Sequence, residues 1–322
     1  MAEQVALVCS VLNEGAAIDT WLDSLLAQTR PPDEIVVADG GSRDDTVARV
    51  RARIAGGAPI KLIECPGTNI SQARNAAIAA TRAPIIAVTD CGVRLEPDWL
   101  ERLVAPFCKP DPPDVVAGFF RADPRGAFEA ALGATTLIDE HDLAPDRFLP
   151  SSRSVAFKRA AWLEGGGYPE WLDHSEDVVF DLRLKAHGFR FELEPRAIVH
   201  FRPRPSPRAF FRQYYHYARG DGRADLWRRR HAIRYATYCG LPLVLLAARR
   251  WPRLWLAILV AATAYLRTPY RRLLAWLPGM SPRERVVALA WVPAIRLIGD
   301  VAKMVGYPVG VWWRLRAKGR DA

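Results

Sequence analysis

The sequence predicts an α/β protein: a mostly parallel sheet with helices on both faces, followed by a basic, helical, tryptophan-rich region. Three observations carry this. Strand-length apolar runs alternate with amphipathic stretches from Val5 to Asp90. The charge is divided: residues 1–202 hold 22 Lys/Arg and 30 Asp/Glu, whereas residues 203–322 hold 23 and 5. The later apolar runs are short and bounded by arginines. Half of the 322 residues are hydrophobic and a quarter are charged, which excludes a disordered or collagen-like chain. At roughly 100–200 residues per domain the length allows two domains, cut here as 1–202 and 203–322.

Val5–Leu12 has the length and Val/Leu content of a buried strand, broken by Asn13-Glu14-Gly15. An amphipathic stretch runs from Ile18 to Gln28. Glu34–Ala38 is the second strand, closed by Asp39-Gly40-Gly41-Ser42. Asp44–Ile54 reads as a helix, Ile60–Glu64 as a third strand and the alanine-rich Ser71–Thr81 as a helix. Pro84–Thr89 is a fourth strand ending at Asp90. This β-α-β-α order implies parallel pairing, and such sheets bind ligands beyond the carboxyl ends of their strands. Asn13/Glu14, Asp39 and Asp90 each follow a strand, so they should converge on one crevice. Any one of them alone would read as a turn, since Asn, Asp and Gly suit turns and helix caps.

Further along, Ser154–Phe157 reads as a strand, and Glu176-Asp177 opens an amphipathic helix that Gly188 ends. Acidic residues there can simply favour the helix dipole. Residues 109–150, with Pro110, Pro112 and Pro113, read as a variable segment, and Asp139–Asp142 as a solvated acidic loop. The five cysteines are scattered, with no Cys-x-x-Cys pair, which excludes a zinc ribbon and suits a reducing compartment. The N-terminus lacks the basic and apolar regions of a signal peptide, so the chemistry is expected to face the cytoplasm.

Four segments in order, beginning at Cys9-Ser-Val-Leu-Asn-Glu, Glu34-Ile-Val-Val-Ala-Asp-Gly-Gly-Ser, Asn69-Ile-Ser-Gln-Ala-Arg-Asn and Thr89-Asp-Cys-Gly, resemble the successive motifs of family 2 glycosyltransferases. The resemblance covers about residues 4–202 and implies the GT-A fold with a nucleotide-sugar donor, a UDP-sugar as first expectation. It implies that Val11, Asn13, Glu14 and Asp39 hold base and ribose. A carboxylate suits ribose hydroxyls or an imide N–H. Arg74 would face the diphosphate with a charge-assisted contact.

Asp90 matches the first aspartate of the family's Asp-x-Asp, but Gly92 replaces the second. The family's divalent cation, Mn²⁺ or Mg²⁺, would then rest on Asp90 and on His200, which follows Ala197-Ile-Val; an imidazole favours Mn²⁺. Alternatively, His200 is a strand-end histidine bonded to backbone. Asp177 resembles the family's general base, with Glu176 orienting it. A base is needed because the acceptor hydroxyl loses its proton as it attacks. The implied reaction is in-line displacement with inversion. Arg153 stands where it can touch diphosphate or acceptor.

The back portion begins at Arg202-Pro-Arg-Pro-Ser-Pro, a stiff link. Residues 209–222 resemble the helix that follows the catalytic domain in membrane-associated members. Gln213 and Arg219 are its candidates for acceptor or diphosphate, although the Gln-x-x-Arg-Trp of processive synthases is absent. Tyr235–Ala248, Leu254–Leu266, Val286–Ile295 and Val301–Trp313 are separate apolar runs, each short of the roughly 20 residues of a spanning helix. They suit interfacial helices on an anionic membrane surface, a hairpin of two short spans, or a soluble bundle. The expected whole is a glycosyltransferase at the cytoplasmic face of the membrane, acting on a lipid-linked or cell-envelope glycan, with no nucleic-acid partner. The rival is a catalytically weak protein of the same fold that only binds nucleotide sugar or glycan.

Overall fold

The structure is a computed structural model that describes residues 3–144 and 148–318. Residues 145–147 of the variable segment lie outside the described residues. The chain divides into two compact units, the first built from residues 1–121 and 140–201, the second from 122–139 and 202–322.

In the first unit the early elements follow the sequence pattern: β1 (Val5–Val11), α1 (Ile18–Leu26), β2 (Glu34–Asp39), α2 (Thr46–Ala55), β3 (Ile60–Glu64), α3 (Ile70–Ala79) and β4 (Ile85–Val88). Then come β5 (Val93–Leu95), α4 (Trp99–Val104), β6 (Val115–Ala122), β7 (Val155–Lys158), α6 (Arg159–Glu164), α7 (Glu176–Ala186) and β8 (Phe191–Phe201), while α5 (Ala127–Thr136), between β6 and β7, belongs to the second unit. The sheet order is β3-β2-β1-β4-β7-β6-β8-β5. It is mixed rather than mostly parallel. The pairs β1–β2, β1–β4 and β2–β3 are parallel, whereas β4–β7, β6–β7 and β5–β8 are antiparallel. The β-α-β alternation that predicts parallel pairing stops at β4.

Both faces of the sheet are buried. Leu7, Cys9 and Val11 face the core that contains Trp21 of α1 and Trp99 of α4, while Ala6 and Val8 face Ala73 of α3 and Phe180 of α7. The period of two in β1 thus serves two apolar layers, which is why the strand reads as an unbroken apolar run. α3 and α7, far apart in sequence, share one layer.

In the second unit, α8 (Pro207–Arg223), α9 (Arg228–Arg250), α10 (Arg253–Leu274) and α11 (Pro282–Lys318) join α5. Their core gathers Ala131 and Leu132 with Phe210, Leu273, Val292 and Ile295. The two apolar runs expected around 286–295 and 301–313 are a single helix, α11, with Pro293 and Pro308 inside it. A proline has no N–H for the carbonyl four residues back, so Leu289 and Met304 lose their helical partners. Tyr270 Oη donates to Leu289 O at 3.2 Å, and Tyr235 Oη donates to Met304 O at 2.6 Å. Two tyrosines from α10 and α9 therefore satisfy the carbonyls that the prolines free.

No helix among the described residues is long and apolar enough to cross a membrane. α9 and α10 nevertheless expose large apolar side chains, among them Leu243, Leu246, Leu256 and Leu259.

α8 and α11 pack backbone to backbone. A Cβ on Gly310 would stand 2.0 Å from Arg219 O and 2.7 Å from Arg223 N. Gly310→Ala must push the helices apart, and a destabilisation of about 3 kcal/mol is expected. Thermal unfolding measures it; an unchanged midpoint would show that the helices separate without cost.

Candidate functional site

The site residues of the first unit stand at strand ends and on the α3/α7 layer. Val11 and Asp39 are in register at the ends of β1 and β2, and Gly40 N donates to Val11 O at 3.0 Å. Asp39 is buried. Its Oδ2 accepts from Gly41 N and Ser42 N, both at 2.9 Å, while its Oδ1 has no partner among the described residues. A buried carboxylate oxygen without a partner is costly. Oδ1 therefore has acceptor capacity for a donor that arrives with a ligand.

Asn13 has φ +55, a left-handed conformation that asparagine tolerates. Its N–H donates to Ser42 Oγ at 2.8 Å and its Oδ1 accepts from Arg43 N at 2.9 Å. Glu14 N donates to Thr46 Oγ1 at 2.8 Å. The loops after β1 and β2 are thus cross-tied, and Asn13 and Glu14 are held by the turn that Asp39 begins.

α3 starts with a capping box: Asn69 Oδ1 accepts from Gln72 N at 2.9 Å, and Gln72 Oε1 accepts from Asn69 N at 3.0 Å. One turn later comes Arg74, only 1 % exposed. Its Nη1 donates to Glu176 Oε1 at 3.0 Å, its Nη2 donates to Asp90 Oδ1 at 3.2 Å, and its guanidinium lies 4.7 Å from the Tyr168 ring centroid. Arg74 joins the carboxylate after β4 to the carboxylate that opens α7. The sequence offered no sign of this pairing, because Arg74 and Glu176 are 102 residues apart.

α7 begins at Glu176, just after Ser175 with φ +63. A left-handed serine costs about 1–3 kcal/mol, a strain that concentrates at functional sites. Asp177 is half-buried, and its Oδ1 accepts from Val178 N at 2.8 Å. Burial pushes the Asp177 carboxyl above the usual carboxylate range, the nearby Asp90 charge adds to this, and Arg74 and Arg153 oppose it. Burial likewise raises Glu176, helped by Asp177 and opposed by Arg74. The pair therefore holds a proton more readily than a free aspartate and glutamate.

Sequence reasoning missed Asp181, although its spacing of one helical turn from Asp177 is a readable signal. It is buried, its Oδ2 has no partner among the described residues, and burial together with the Asp177 charge raises its pKa well above the ordinary value.

Arg153 lies 4.3 Å from the Phe201 ring centroid and 5.5 Å from that of Phe120, and its Nη1 donates to Ser151 Oγ at 3.1 Å. Its charge is among those that lower Asp177, so it belongs to the same electrostatic neighbourhood.

Among the described residues no hydrogen bond or ion pair joins His200 to its expected fellow ligand Asp90. His200, paired in register with Arg94, turns its Nε2 to the Glu96 carboxylate. No group of three or more His, Cys, Asp or Glu among the described residues is arranged to hold a metal. Asp90 is the one expected ligand left. Arg74 takes its Oδ1, and its Oδ2 has no partner among the described residues. One carboxylate oxygen fits a hard divalent cation that takes its remaining ligands from a diphosphate and water, not a cation held by protein alone.

Gly92 adds to this, since a Cβ there would meet nothing within 4 Å. Gly92→Asp has room to supply a second carboxylate. Mn²⁺ affinity is expected to rise about tenfold by charge count. Calorimetric titration of the variant against wild type checks this, and equal affinities would mean that position 92 points away from the cation.

Gln213 and Arg219 lie on α8 in the second unit; Gln213 Nε2 donates to Tyr217 Oη at 2.9 Å.

Acidic groups at the carboxyl ends of β1, β2 and β4, on a mixed sheet layered by helices, define an α/β protein with the GT-A architecture. Residues 7–150 match the description "Glycosyl transferase family 2", and residues 85–270 match "Glycosyl transferase family group 2". The chain belongs to the family 2 glycosyltransferases and is a sugar-transferring enzyme.

It is 26% identical over 227 residues to succinoglycan biosynthesis protein ExoA of Rhizobium meliloti, covering 66% of this chain and 68% of that protein. It is 24% identical over 229 residues to O-antigen chain rhamnosyltransferase RfbN of Salmonella typhimurium, covering 66% and 70%. Its fold is similar to that of a mannosyltransferase from Pyrobaculum calidifontis in complex with GDP-Man and Mn²⁺. The TM-score is 0.57 at 20% identity, over 99% of this chain and 88% of that one.

Proposed function

We propose that the enzyme transfers a sugar, with inversion, from a UDP-sugar to a lipid-linked or cell-envelope glycan acceptor. One observation carries the reading: Arg74 ties Asp90, at the donor end of the crevice, to Glu176, next to Asp177. The donor-side carboxylate and the neighbour of the base are thereby joined by one side chain. Base and ribose bind at Val11, Asn13, Glu14 and Asp39, whose free Oδ1 accepts a hydrogen bond from them. Asp90, through Oδ2, would help to hold a divalent cation beside the donor diphosphate. When bound, that cation offsets the charge that develops on the leaving nucleoside diphosphate.

Asp177 takes the proton from the acceptor hydroxyl as its oxygen bonds to the anomeric carbon and the bond to the diphosphate breaks. A carboxylate with a raised pKa is the stronger base, so burial serves the reaction. Glu176, fixed by Arg74, orients Asp177, and Arg153 steadies the negative charge near it. Transfer onto envelope glycans is supported by the names of the two relatives. The exposed leucines of α9 and α10, flanked by Arg249, Arg250 and Arg253, support a resting place on an anionic membrane surface at the cytoplasmic face.

The test is a thermal-shift screen of nucleotide sugars with and without Mn²⁺, followed by nuclear magnetic resonance of the first-formed product. A UDP-sugar should give the largest stabilisation, and the product should carry the opposite anomeric configuration to the donor. Retained configuration would sink the direct displacement, and preference for a GDP-sugar would sink the choice of base.

A further inference from the structure

The second unit contains a polar pocket whose lining includes none of the residues assigned above to sugar transfer. It is lined in part by Thr135, Thr136, Tyr214, Arg296, Asp300 and Lys303. Asp300 accepts from Arg234 Nε at 2.6 Å, from Tyr238 Oη at 3.0 Å and from the Tyr265 hydroxyl. Burial would raise its carboxyl, but these donors hold it below the usual range. Asp300 is therefore an anion whose oxygens are already occupied and whose charge Arg234 offsets.

Two cations of the pocket are left over. Arg296 lies 4.8 Å from the Tyr265 ring centroid; its Nε is buried, and its guanidinium has no hydrogen-bond partner among the described residues. Lys303 lies 4.8 Å from the Tyr214 ring centroid, with no hydrogen bond or ion pair among the described residues. Burial, with Arg234 nearby, pushes its pKa down to about 8, against the weaker pull of Asp300 and Asp221. Partly buried cations without a hydrogen-bonded counter-charge carry a desolvation cost. An arriving anion would relieve both.

We propose that this pocket binds a phosphate monoester or diphosphate group, gripped by Arg296 and Lys303. A guanidinium and an ammonium together supply the planar fork and the point charge that phosphate oxygens accept. The surroundings suit an anion carried on an apolar chain. Tyr238 and Tyr265 stand at matching distances from the turn between α9 and α10, about 20 Å along each helix. Between those tyrosines and the turn the helices expose Leu243, Leu246, Leu256, Leu259 and Val260. A head in the pocket would leave its chain beside this leucine-lined arm. The site goes beyond the transfer reading and does not depend on it.

The test titrates the full chain with inorganic pyrophosphate in the presence of a chelator, by calorimetry. It then measures sedimentation with phosphatidylcholine vesicles that carry either phosphatidic acid, a phosphate monoester, or phosphatidylglycerol, a diester. Saturable pyrophosphate binding is expected. Arg296→Gln and Lys303→Met should each weaken it about tenfold or more, the scale of a charged hydrogen bond. Arg296→Lys should restore part of the loss, which guards against a merely misfolded variant. Arg283→Gln, an exposed arginine at the start of α11, should leave it unchanged. A preference for phosphatidic acid that both pocket variants lose assigns the group to a lipid; pyrophosphate binding without that preference assigns a soluble phosphate. Pyrophosphate binding of wild-type strength in both pocket variants, or saturable binding to neither probe, overturns the proposal.

Discussion

Asp177→Asn is expected to lower the transfer rate by about 10²–10⁴-fold, the range for loss of a positioned general base. Nucleotide-sugar affinity should hardly move, because the substitution is isosteric and leaves Arg74, Asp90 and Asp39 in place. Asparagine Oδ1 can still accept the 2.8 Å bond from Val178 N, so helix α7 should start as before. Initial rates and donor-induced thermal shifts separate the two quantities. Turnover equal to wild type would remove Asp177 from the chemistry. The pH profile sharpens the test. Burial raises the Asp177 carboxyl, so its protonated, inactive form persists to higher pH than for a free aspartate. Wild-type activity should therefore fall on acidification before the pH reaches the ordinary carboxylate range of about 4, and the residual activity of the variant should lack that limb.

Arg74→Met should have the largest effect on stability, about 3–5 kcal/mol at neutral pH. Methionine keeps the buried stem and removes the charge. Glu176, whose side chain is 9% exposed, then loses its ion partner, and Asp90 loses the same cation. Without Arg74, the raised Glu176 carboxyl rises further, and protonation becomes its means of relief. The deficit should therefore shrink as pH falls and Glu176 is neutralised. Urea unfolding at neutral and mildly acidic pH measures both, and a companion variant, Arg74→Met with Glu176→Gln, should recover part of the loss. A single variant as stable as wild type would mean that water replaces the guanidinium in this layer.

Local features of the first unit were legible in the sequence. β1, β2 and β4 are buried on both faces, so each is an apolar run bounded by polar turn residues. Those turn residues are Asn13, Glu14, Asp39 and Asp90. Helix α7 could be read from its acidic start and from Gly188, which has φ +84 just beyond its end. Contacts between distant segments were not legible. Arg74 resembles a surface arginine until α7 is laid beside α3. His200 gives no sign in the sequence that its imidazole reaches the Glu96 carboxylate from β8. The antiparallel half of the sheet lacks the strand–helix rhythm that announces parallel pairing. α5 lies in a proline-bounded stretch whose apolar face belongs to the second unit, so a single cut at residue 202 separates it from its partners. α11 reads as two pieces because prolines ordinarily end helices, and nothing local to 293 or 308 announces a tyrosine on another helix.

The tyrosine–proline pairs of the second unit also constrain how this sequence can change over generations. Pro308 is eased by Tyr235, whose hydroxyl serves Met304 O, and Pro293 by Tyr270, which serves Leu289 O. Losing the tyrosine first strands a carbonyl, whereas losing the proline first restores an N–H and makes the hydroxyl dispensable. The two orders of mutation are unequal, so each pair acts as a ratchet. Descendants should retain both residues, or lose the proline before the tyrosine.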